Sequence, residues 1–268
     1  MKYGFIGTGC MGGALATACA KAIGPEDILL SNRSLEKAQA LAEKLGAIPA
    51  DNETITRDCD VIFLGVKPQT MAQMLLPLQP ILTGRRTPFV LVSMAAGVTI
   101  EALQDMAGGR YPVVRIMPNT ACAVGAGMTT YTCSAEVTDR QRQAVLDALA
   151  ASGLLEEIEE GLMGAASAVA GCGGAYACLF LEGLADGGVL CGLPRKKAQR
   201  MAAQMLLGMA TQALESGEHT GALKDAVCSP AGSTIAGIRK LESMSFRSAA
   251  MEAVIAAWER EREMQQQK

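Results

Sequence analysis

A glycine-rich turn near the start of the chain limits the fold more than any other sequence feature. The turn reads Gly7-Thr8-Gly9-Cys10-Met11-Gly12, and it lies between the apolar run 2–7 and the Ala-rich run 11–23. A strand, a G-x-G-x-x-G spacing and a helix in this order are typical of a unit that binds a dinucleotide. The first glycine permits the tight turn, the second lets the backbone approach a pyrophosphate, and the third lets helix and strand pack closely. The alternative is a Gly-rich turn that binds no ligand.

Short apolar runs alternate with helical patterns as far as residue 160. Strand-like runs occur at 27–32, 60–66, 88–97, 111–119 and 127–133, and helical patterns at 34–46 and 139–153. This alternation predicts an α/β fold in which a doubly wound parallel sheet of the Rossmann type has helices on both faces. After residue 160 the sequence shows only helical patterns, at 163–191, 195–216, 230–243 and 246–264. We therefore expect a dinucleotide-binding domain over 1–160 and an all-α domain over 161–268.

The helical half is more apolar than a monomer would need. In the segment 198–215, apolar residues cover nearly the whole circumference of the helix, which is typical of a helix buried on all sides. In so small a domain, this pattern predicts that a second subunit covers part of the surface. No run of 18 consecutive apolar residues occurs, so we expect no membrane-spanning helix.

Charge and cysteine content narrow the functional class. The net charge of −3 provides no basic patch for nucleic acid. The nine cysteines form no C-x-x-C pair, and His219 is the only histidine, so we expect no metal site. Cysteines scattered in this way are typical of proteins in the reducing cytoplasm. We expect them to pack as small buried apolar residues.

The end of the second strand carries a cation where NAD-specific enzymes place an acid. The residues there are Asn32, Arg33 and Ser34. A carboxylate would bind the ribose hydroxyls of NAD and repel a 2′-phosphate, whereas a guanidinium with two neutral polar groups binds that phosphate. The segment predicts NADPH as the preferred cofactor, with NADH still possible. The alternative is a solvated arginine at the start of a helix.

Further cofactor contacts are expected where the later strands end, at the ligand edge of the sheet. Lys67 is either such a contact or an ordinary surface lysine, and the small residues at 93–97 would meet the nicotinamide with their backbone. The remaining predicted contacts are Asn52, Val66, Pro68, Met94, Ala95, Ala96 and Gly97.

Several segments together resemble the pyrroline-5-carboxylate reductase family. They are VKP (66–68), AAGVT (95–99), R-x-MPNT (115–120), LADGGVLCGLPR (184–195), SGEHTGALKDAVCSP (216–230) and STI…FRSA (233–249). The stretch 216–249 is the most specific, because it is not a general nucleotide motif. The resemblance implies reduction of the cyclic imine 1-pyrroline-5-carboxylate to L-proline, the last step of proline biosynthesis. It also implies a homodimer through the helical domain, with five dimers forming a decamer.

The resemblance places the substrate between the nicotinamide and the loop that begins at Ser229. Free N–H groups at the following helix start suit the substrate carboxylate, and Thr234 is the candidate catalytic residue because its hydroxyl can bind the ring nitrogen. The other predicted substrate contacts in this loop are Ser229, Gly232 and Ser233. The alternative is that the serines only cap the helix.

Three residues outside this loop have two readings each. Glu160 is either a substrate contact, as the resemblance implies, or a solvated acid. Asn119 either lines the site or caps a turn. His219 could act as an acid, but the Gly-rich turn after it favours a structural role.

Around the expected site, the chain departs from the family pattern at four positions. Ala121, Gly174 and Thr220 stand where the family has proline, and Ala231 stands where it has glycine. Ala231 would be strained if that position needs a positive φ. These changes leave the fold and the cofactor unaffected but put the range of imines in doubt.

Three other functions are compatible with a dinucleotide-binding domain. A β-hydroxyacid dehydrogenase would need a lysine on the first long helix, and residues 174–188 contain none. A non-catalytic NADP-binding redox sensor would not need the loop 229–234. An imine reductase for another cyclic imine remains open.

Overall fold

The computed structural model describes residues 1–266, which divide into two compact units. Met1–Cys172 and the described residues from Ala257 onward form the first unit, and Gly173–Ala256 forms the second. These units differ from the domains expected from sequence, 1–160 and 161–268. Residues 163–171 lie in the first unit, where Met163 and Ala168 are fully buried.

The first unit is built on one sheet of eight strands, in the order β3-β2-β1-β4-β5-β6-β7-β8. The strands are β1 Tyr3–Ile6, β2 Ile28–Ser31, β3 Ile48–Pro49, β4 Val61–Leu64, β5 Val90–Ser93, β6 Val113–Pro118, β7 Gly127–Cys133 and β8 Gly153–Glu157. All neighbours run parallel except β6 and β7, which pair antiparallel. The expectation of a wholly parallel sheet was wrong at this point, because the link 119–126 is shorter than the dozen or so residues that a parallel crossover needs.

Helices cover both faces of the sheet, as the alternation predicted. Successive strand residues enter opposite cores: Phe5 packs with Leu15 and Val145 on one face, and Ile6 packs with Met71 and Leu103 on the other. Such two-sided burial explains the continuous apolar runs of these strands. The helices of this unit are α1 Cys10–Ile23, α2 Leu35–Leu45, α3 Asn52–Asp58, α4 Pro68–Leu75, α5 Gln79–Gly84, α6 Ile100–Ala107, α7 Asp139–Leu149 and α8 Met163–Ala166.

In the described residues of the second unit, every element of regular structure is a helix. Its helices are α9 Gly173–Leu190, α10 Arg195–Ser216, α11 Thr220–Ala226, α12 Ser233–Ser243 and α13 Phe246–Gln266, of which the last continues into the first unit. The sequence pattern missed α11, since it predicts no helix between residues 216 and 230. It also placed the start of α12 at residue 230, whereas Pro230 and the two residues after it belong to a turn.

The second unit leaves much apolar surface uncovered within one chain. Helix α10 buries Ala198 and Ala202, while Met201, Leu207 and Leu214 are exposed. One helical stretch, Glu160–Leu190, is long and apolar enough to cross a membrane by length and composition alone, with 11% of its most apolar window buried. The sequence prediction did not anticipate this stretch.

Candidate active site

The glycine turn has the geometry that its sequence predicts. Gly7 adopts a φ of 97°, and its N–H donates to the Ser31 carbonyl at 2.9 Å. Helix α1 begins directly after Gly9, and no side chain caps it. The first-turn N–H groups are therefore free to bind phosphate oxygens. No atom outside the immediate chain neighbours lies within 4 Å of a Cβ built on Gly9, so the backbone there is open to a pyrophosphate.

The polar segment after β2 is also available to a ligand. Arg33 is exposed, and its guanidinium has no hydrogen-bond or ion-pair partner among residues 1–266. Ser34 occupies the N-cap position of α2 but makes no side-chain capping bond. Asn32 Oδ1 accepts from the Arg33 N–H at 3.0 Å. Asn52 lies at the same end of β2, where its Oδ1 accepts from the Ser31 hydroxyl at 2.6 Å.

The other predicted cofactor residues follow β4 and β5. Lys67 is exposed and lies at the N-cap position of α4, with Pro68 as the first helical residue. The turn 94–97 ends at Gly97, which has a φ of 71°. Because β1, β2, β4 and β5 run parallel, the segments that follow them meet at one edge of the sheet. The first unit thus assembles the predicted cofactor residues at its carboxyl edge.

Glu160 is not a solvated acid. Its Oε1 accepts from Arg115 Nη1 at 3.1 Å and from the Ile100 N–H at 2.7 Å. The side chain of Arg115 is 3% exposed and that of Glu160 34% exposed. Arg115 was missed as a functional candidate, since its position in an apolar strand gives no sign of a partner elsewhere in the sequence.

Asn119 caps a turn, which is one of its two expected readings. Its Oδ1 accepts from the N–H groups of Ala121 at 3.2 Å and Met128 at 3.4 Å. Its Nδ2 donates to the Ala170 carbonyl at 3.0 Å. Ala170 belongs to the π-helical turn Ser167–Gly171, so Asn119 ties this turn to the end of β6.

The predicted substrate loop lies in the second unit and has a strained backbone. Ala231 adopts a φ of 59°, and the Gly232 N–H donates to the Ser229 carbonyl at 3.0 Å. Gly232 is the N-cap residue of α12, and no side chain caps this helix. The alternative in which Ser229 and Ser233 only cap the helix is therefore wrong.

The start of α12 presents unoccupied donors. The helix leaves the first-turn N–H groups, from Ser233 to Ile235, without intrahelical partners. Thr234 is exposed, and its hydroxyl has no partner in the part of the chain that the structure describes. By contrast, His219 is engaged, because its Nδ1 accepts from the Gly221 N–H at 3.0 Å and caps α11. The structural reading of His219 is confirmed.

Three of the nine cysteines are buried, two are half-buried and four are exposed. Burial raises the pKa of Cys19 and of Cys59 to about 12. The prediction that the thiols are buried was wrong for Cys10, Cys172, Cys178 and Cys191, which are exposed. Among the described residues, no cluster of three or more His, Cys, Asp or Glu side chains could hold a metal ion.

Comparison with known proteins places this arrangement in a family. Residues 160–264 match the family model for pyrroline-5-carboxylate reductase dimerisation, and residues 2–97 match that for NADP oxidoreductase, coenzyme F420-dependent. A pyrroline-5-carboxylate reductase of Methanosarcina acetivorans is 40% identical, over 98% of this chain and 97% of the relative. The chain belongs to the pyrroline-5-carboxylate reductase family. The Escherichia coli member is 38% identical over 97% of this chain and 96% of its own length.

Solved structures of pyrroline-5-carboxylate reductases share the fold. The Plasmodium falciparum enzyme with NADP bound has a TM-score of 0.87 and 34% identity, covering 99% of this chain and 98% of that one. The Coxiella burnetii enzyme has a TM-score of 0.90 and 31% identity, covering 98% and 97%. The predicted fold class, an α/β sheet domain followed by a helical domain, is confirmed.

Proposed function

We propose that the chain reduces 1-pyrroline-5-carboxylate to L-proline and that NADPH supplies the hydride. The observation that carries the assignment is the open start of α12, where free N–H groups and the unpartnered Thr234 hydroxyl suit a substrate with a carboxylate and a ring nitrogen. Membership of the family supports the same substrate.

The first unit holds the cofactor. The free N–H groups at the start of α1 bind the pyrophosphate, and the Arg33 guanidinium binds the 2′-phosphate. Asn32, Ser34 and Asn52 complete the adenosine side, and Lys67 and the turn 94–97 lie toward the nicotinamide. When bound, the reduced nicotinamide provides a hydride, and the protein positions it. A charge-assisted hydrogen bond contributes about 1.5–3 kcal/mol, so the site favours NADPH over NADH.

The second unit holds the imine. The N–H groups of Ser233 and Thr234 bind the substrate carboxylate at the positive end of the helix dipole. The Thr234 hydroxyl binds the ring nitrogen and fixes the direction of the imine carbon. A protonated imine accepts a hydride without a strong general acid, so the catalytic task is mainly positioning. In the first unit, Glu160 uses its Oε1 to accept from Arg115 and from the Ile100 N–H.

Ala231 favours a second candidate, an imine reductase for a different cyclic imine. The family places glycine here, and the alanine methyl group sits on a left-handed backbone within the substrate loop. A methyl group at this position alters the space beside the carboxylate site. Turnover of other cyclic imines with poor turnover of 1-pyrroline-5-carboxylate would favour this candidate.

The exposed apolar face of the helical unit supports a homodimer through α9 and α10, and by family resemblance a decamer of five dimers. Subunit association accounts for the apolar stretch Glu160–Leu190 without a membrane. Exposed free thiols fit a reducing cytoplasm. Light scattering of the native protein tests this assembly, since a monomeric chain would contradict it.

Substitution of Thr234 tests the catalytic assignment. Thr234→Ala should lower kcat/KM for the imine by roughly ten-fold or more, the value of one hydrogen bond to a charged group. Thr234→Ser keeps the hydroxyl and serves as the matched control. The Kd of NADPH should stay unchanged in both variants. An unchanged kcat/KM in Thr234→Ala would refute the role of this residue.

A further inference from the structure

Arg115 is a buried cation whose hydrogen bonding is incomplete. Only its Nη1 has a partner, Glu160, at 3.1 Å. Its Nε and Nη2 are buried and have no hydrogen-bond partner in the described chain. Burying an arginine costs several kcal/mol unless the charge is well paired. A residue kept only for stability would be expected to be apolar or fully bonded, so this position calls for a functional explanation.

The partner of Arg115 leads to the nicotinamide side of the cofactor site. Glu160 uses the same oxygen, Oε1, to accept from the N–H of Ile100 at 2.7 Å. Ile100 is the first residue of α6, and Thr99 caps that helix through the Ala102 N–H at 3.2 Å. Only Val98 and Thr99 separate the turn 94–97 from this helix start. Arg115 and Glu160 therefore fix the backbone that follows the turn.

The first residues of the turn have hydrogen bonds of their own. The Ala95 N–H donates to the Ser93 hydroxyl at 3.3 Å, and the Met94 N–H donates to the Leu64 carbonyl at 3.5 Å. The Val98 N–H donates to the Ala95 carbonyl at 3.4 Å, so the backbone N–H bonds of residues 94, 95 and 98 are all long. The bond from the Ile100 N–H to Glu160, at 2.7 Å, is the short one in this segment. Loss of the Glu160 contact would free an N–H at the start of α6 and let the turn shift.

A second carboxylate near Arg115 does not replace Glu160. Glu261 is 7% exposed, and its Oε1 has no hydrogen-bond partner among the described residues. Burial raises the pKa of Glu261, although hydrogen bonding with Ser167 and the charge of Arg115 oppose the shift. A cavity of about 380 Å³ is lined by Arg115, Glu160, Glu261 and Trp258, among others, and no ion pair joins Arg115 to Glu261 in residues 1–266. Glu160 is the carboxylate that Arg115 orients.

We propose that Arg115 is a positioning residue for the nicotinamide end of the cofactor, acting through Glu160 and the start of α6. The inference rests on the proposed placement of the nicotinamide at residues 94–97. In this role Arg115 contacts neither cofactor nor substrate. It orients the Glu160 carboxylate, and that carboxylate binds the N–H at the start of α6. The adenosine end of the site, at Arg33 and the glycine turn, does not depend on it.

Two ligands separate these ends of the site. NADPH contacts both ends, whereas 2′-phospho-ADP-ribose carries the pyrophosphate and the 2′-phosphate but no nicotinamide. In Arg115→Met the Kd of NADPH should rise about ten-fold, while the Kd of 2′-phospho-ADP-ribose should stay within about two-fold. Arg142→Met is the matched control, because Arg142 also forms ion pairs, with Asp139 and Glu157, but its side chain is 42% exposed, and it should change neither Kd.

Two results would overturn the proposal: an equal rise for both ligands, or no rise for either. Binding is measured without an imine, so the outcome stays distinct from any failure to turn over 1-pyrroline-5-carboxylate. If Arg115→Met does not fold, the double variant Arg115→Met/Glu160→Gln removes both charges together and avoids an unpaired one. It should show the same selective loss of NADPH affinity, and normal affinity for both ligands would again refute the proposal.

Discussion

A Cβ atom on Gly12 would lie 2.1 Å from the carbonyl oxygen of Gly7. This approach joins the start of α1 to the end of β1 and leaves no space for any side chain. Gly9, two residues along the same turn, faces open space instead. Gly12 is therefore needed for packing of helix against strand, and Gly9 gives the cofactor access to the backbone.

Alanine substitutions should separate these two tasks. Gly12→Ala forces the helix away from the strand and should lower the free energy of unfolding by more than about 2 kcal/mol, in the range of severe steric substitutions. Gly9→Ala should leave the unfolding free energy nearly unchanged and weaken NADPH binding. Urea unfolding and a cofactor titration measure both effects. Equal loss of stability in the two variants would contradict the assignment.

Arg33 should determine the choice between cofactors. Arg33→Ala removes the only cation of the segment after β2, so KM for NADPH should rise roughly ten- to a hundred-fold. KM for NADH, which has no 2′-phosphate, should change little. Steady-state kinetics with both cofactors measure this, and Arg86→Ala, another exposed arginine, is the control. A similar change for NADPH and NADH would rule out the 2′-phosphate contact.

The protein should be less stable with alanine at position 231 than with glycine there. Left-handed backbone costs an L-residue about 1–2 kcal/mol, whereas the freedom of glycine favours the unfolded chain by about 0.4–1 kcal/mol. Ala231 has a φ of 59°, so Ala231→Gly should raise the free energy of unfolding by up to about 1.6 kcal/mol. Ala236→Gly, at an exposed helical position of α12, should lower it instead. Denaturant unfolding of both variants should give opposite signs; a loss of stability in Ala231→Gly would count against strain.

The buried thiol of Cys19 should make stability fall at high pH. Burial raises its pKa from 9.0 to about 12, so the unfolded chain releases this proton first. The contribution is fully present below pH 9 and is lost as pH rises toward 12, at most about 1.4 kcal/mol per pH unit. Unfolding free energies from pH 8 to 10.5 should fall less steeply in Cys19→Ala than in the parent. Cys178→Ala, which removes an exposed thiol, should leave the slope unchanged, and identical slopes in all three proteins would contradict the assignment.

Much of the first unit could be predicted from local sequence patterns. Continuous apolar runs marked the central strands because these are buried on both faces. Strand β3, by contrast, is two exposed residues long, Ile48–Pro49, and carries no such signal. Helix α3 was missed because its residues are polar and its start depends on one cap, the Asp51 carboxylate bound to the Thr54 N–H at 2.6 Å.

The site residues that belong to one sequence motif could be predicted. Those that come together only in the folded chain could not. The glycine turn and Arg33 follow from spacing along the chain. The pairing of Arg115 with Glu160 joins residues 45 positions apart, and no local pattern connects them. Ala231 could be predicted in part. The family resemblance indicated that this position could need a positive φ, and the structure shows that it has one.

Turnover of 1-pyrroline-5-carboxylate by the purified protein tests the central claim most directly. Oxidation of NADPH and of NADH is followed separately by absorbance, and the product is identified chemically. We predict rapid turnover, L-proline as the product and a clear preference for NADPH. Tight NADPH binding without turnover of this imine would contradict it, and it would show that the substrate loop with Ala231 accepts a different cyclic imine.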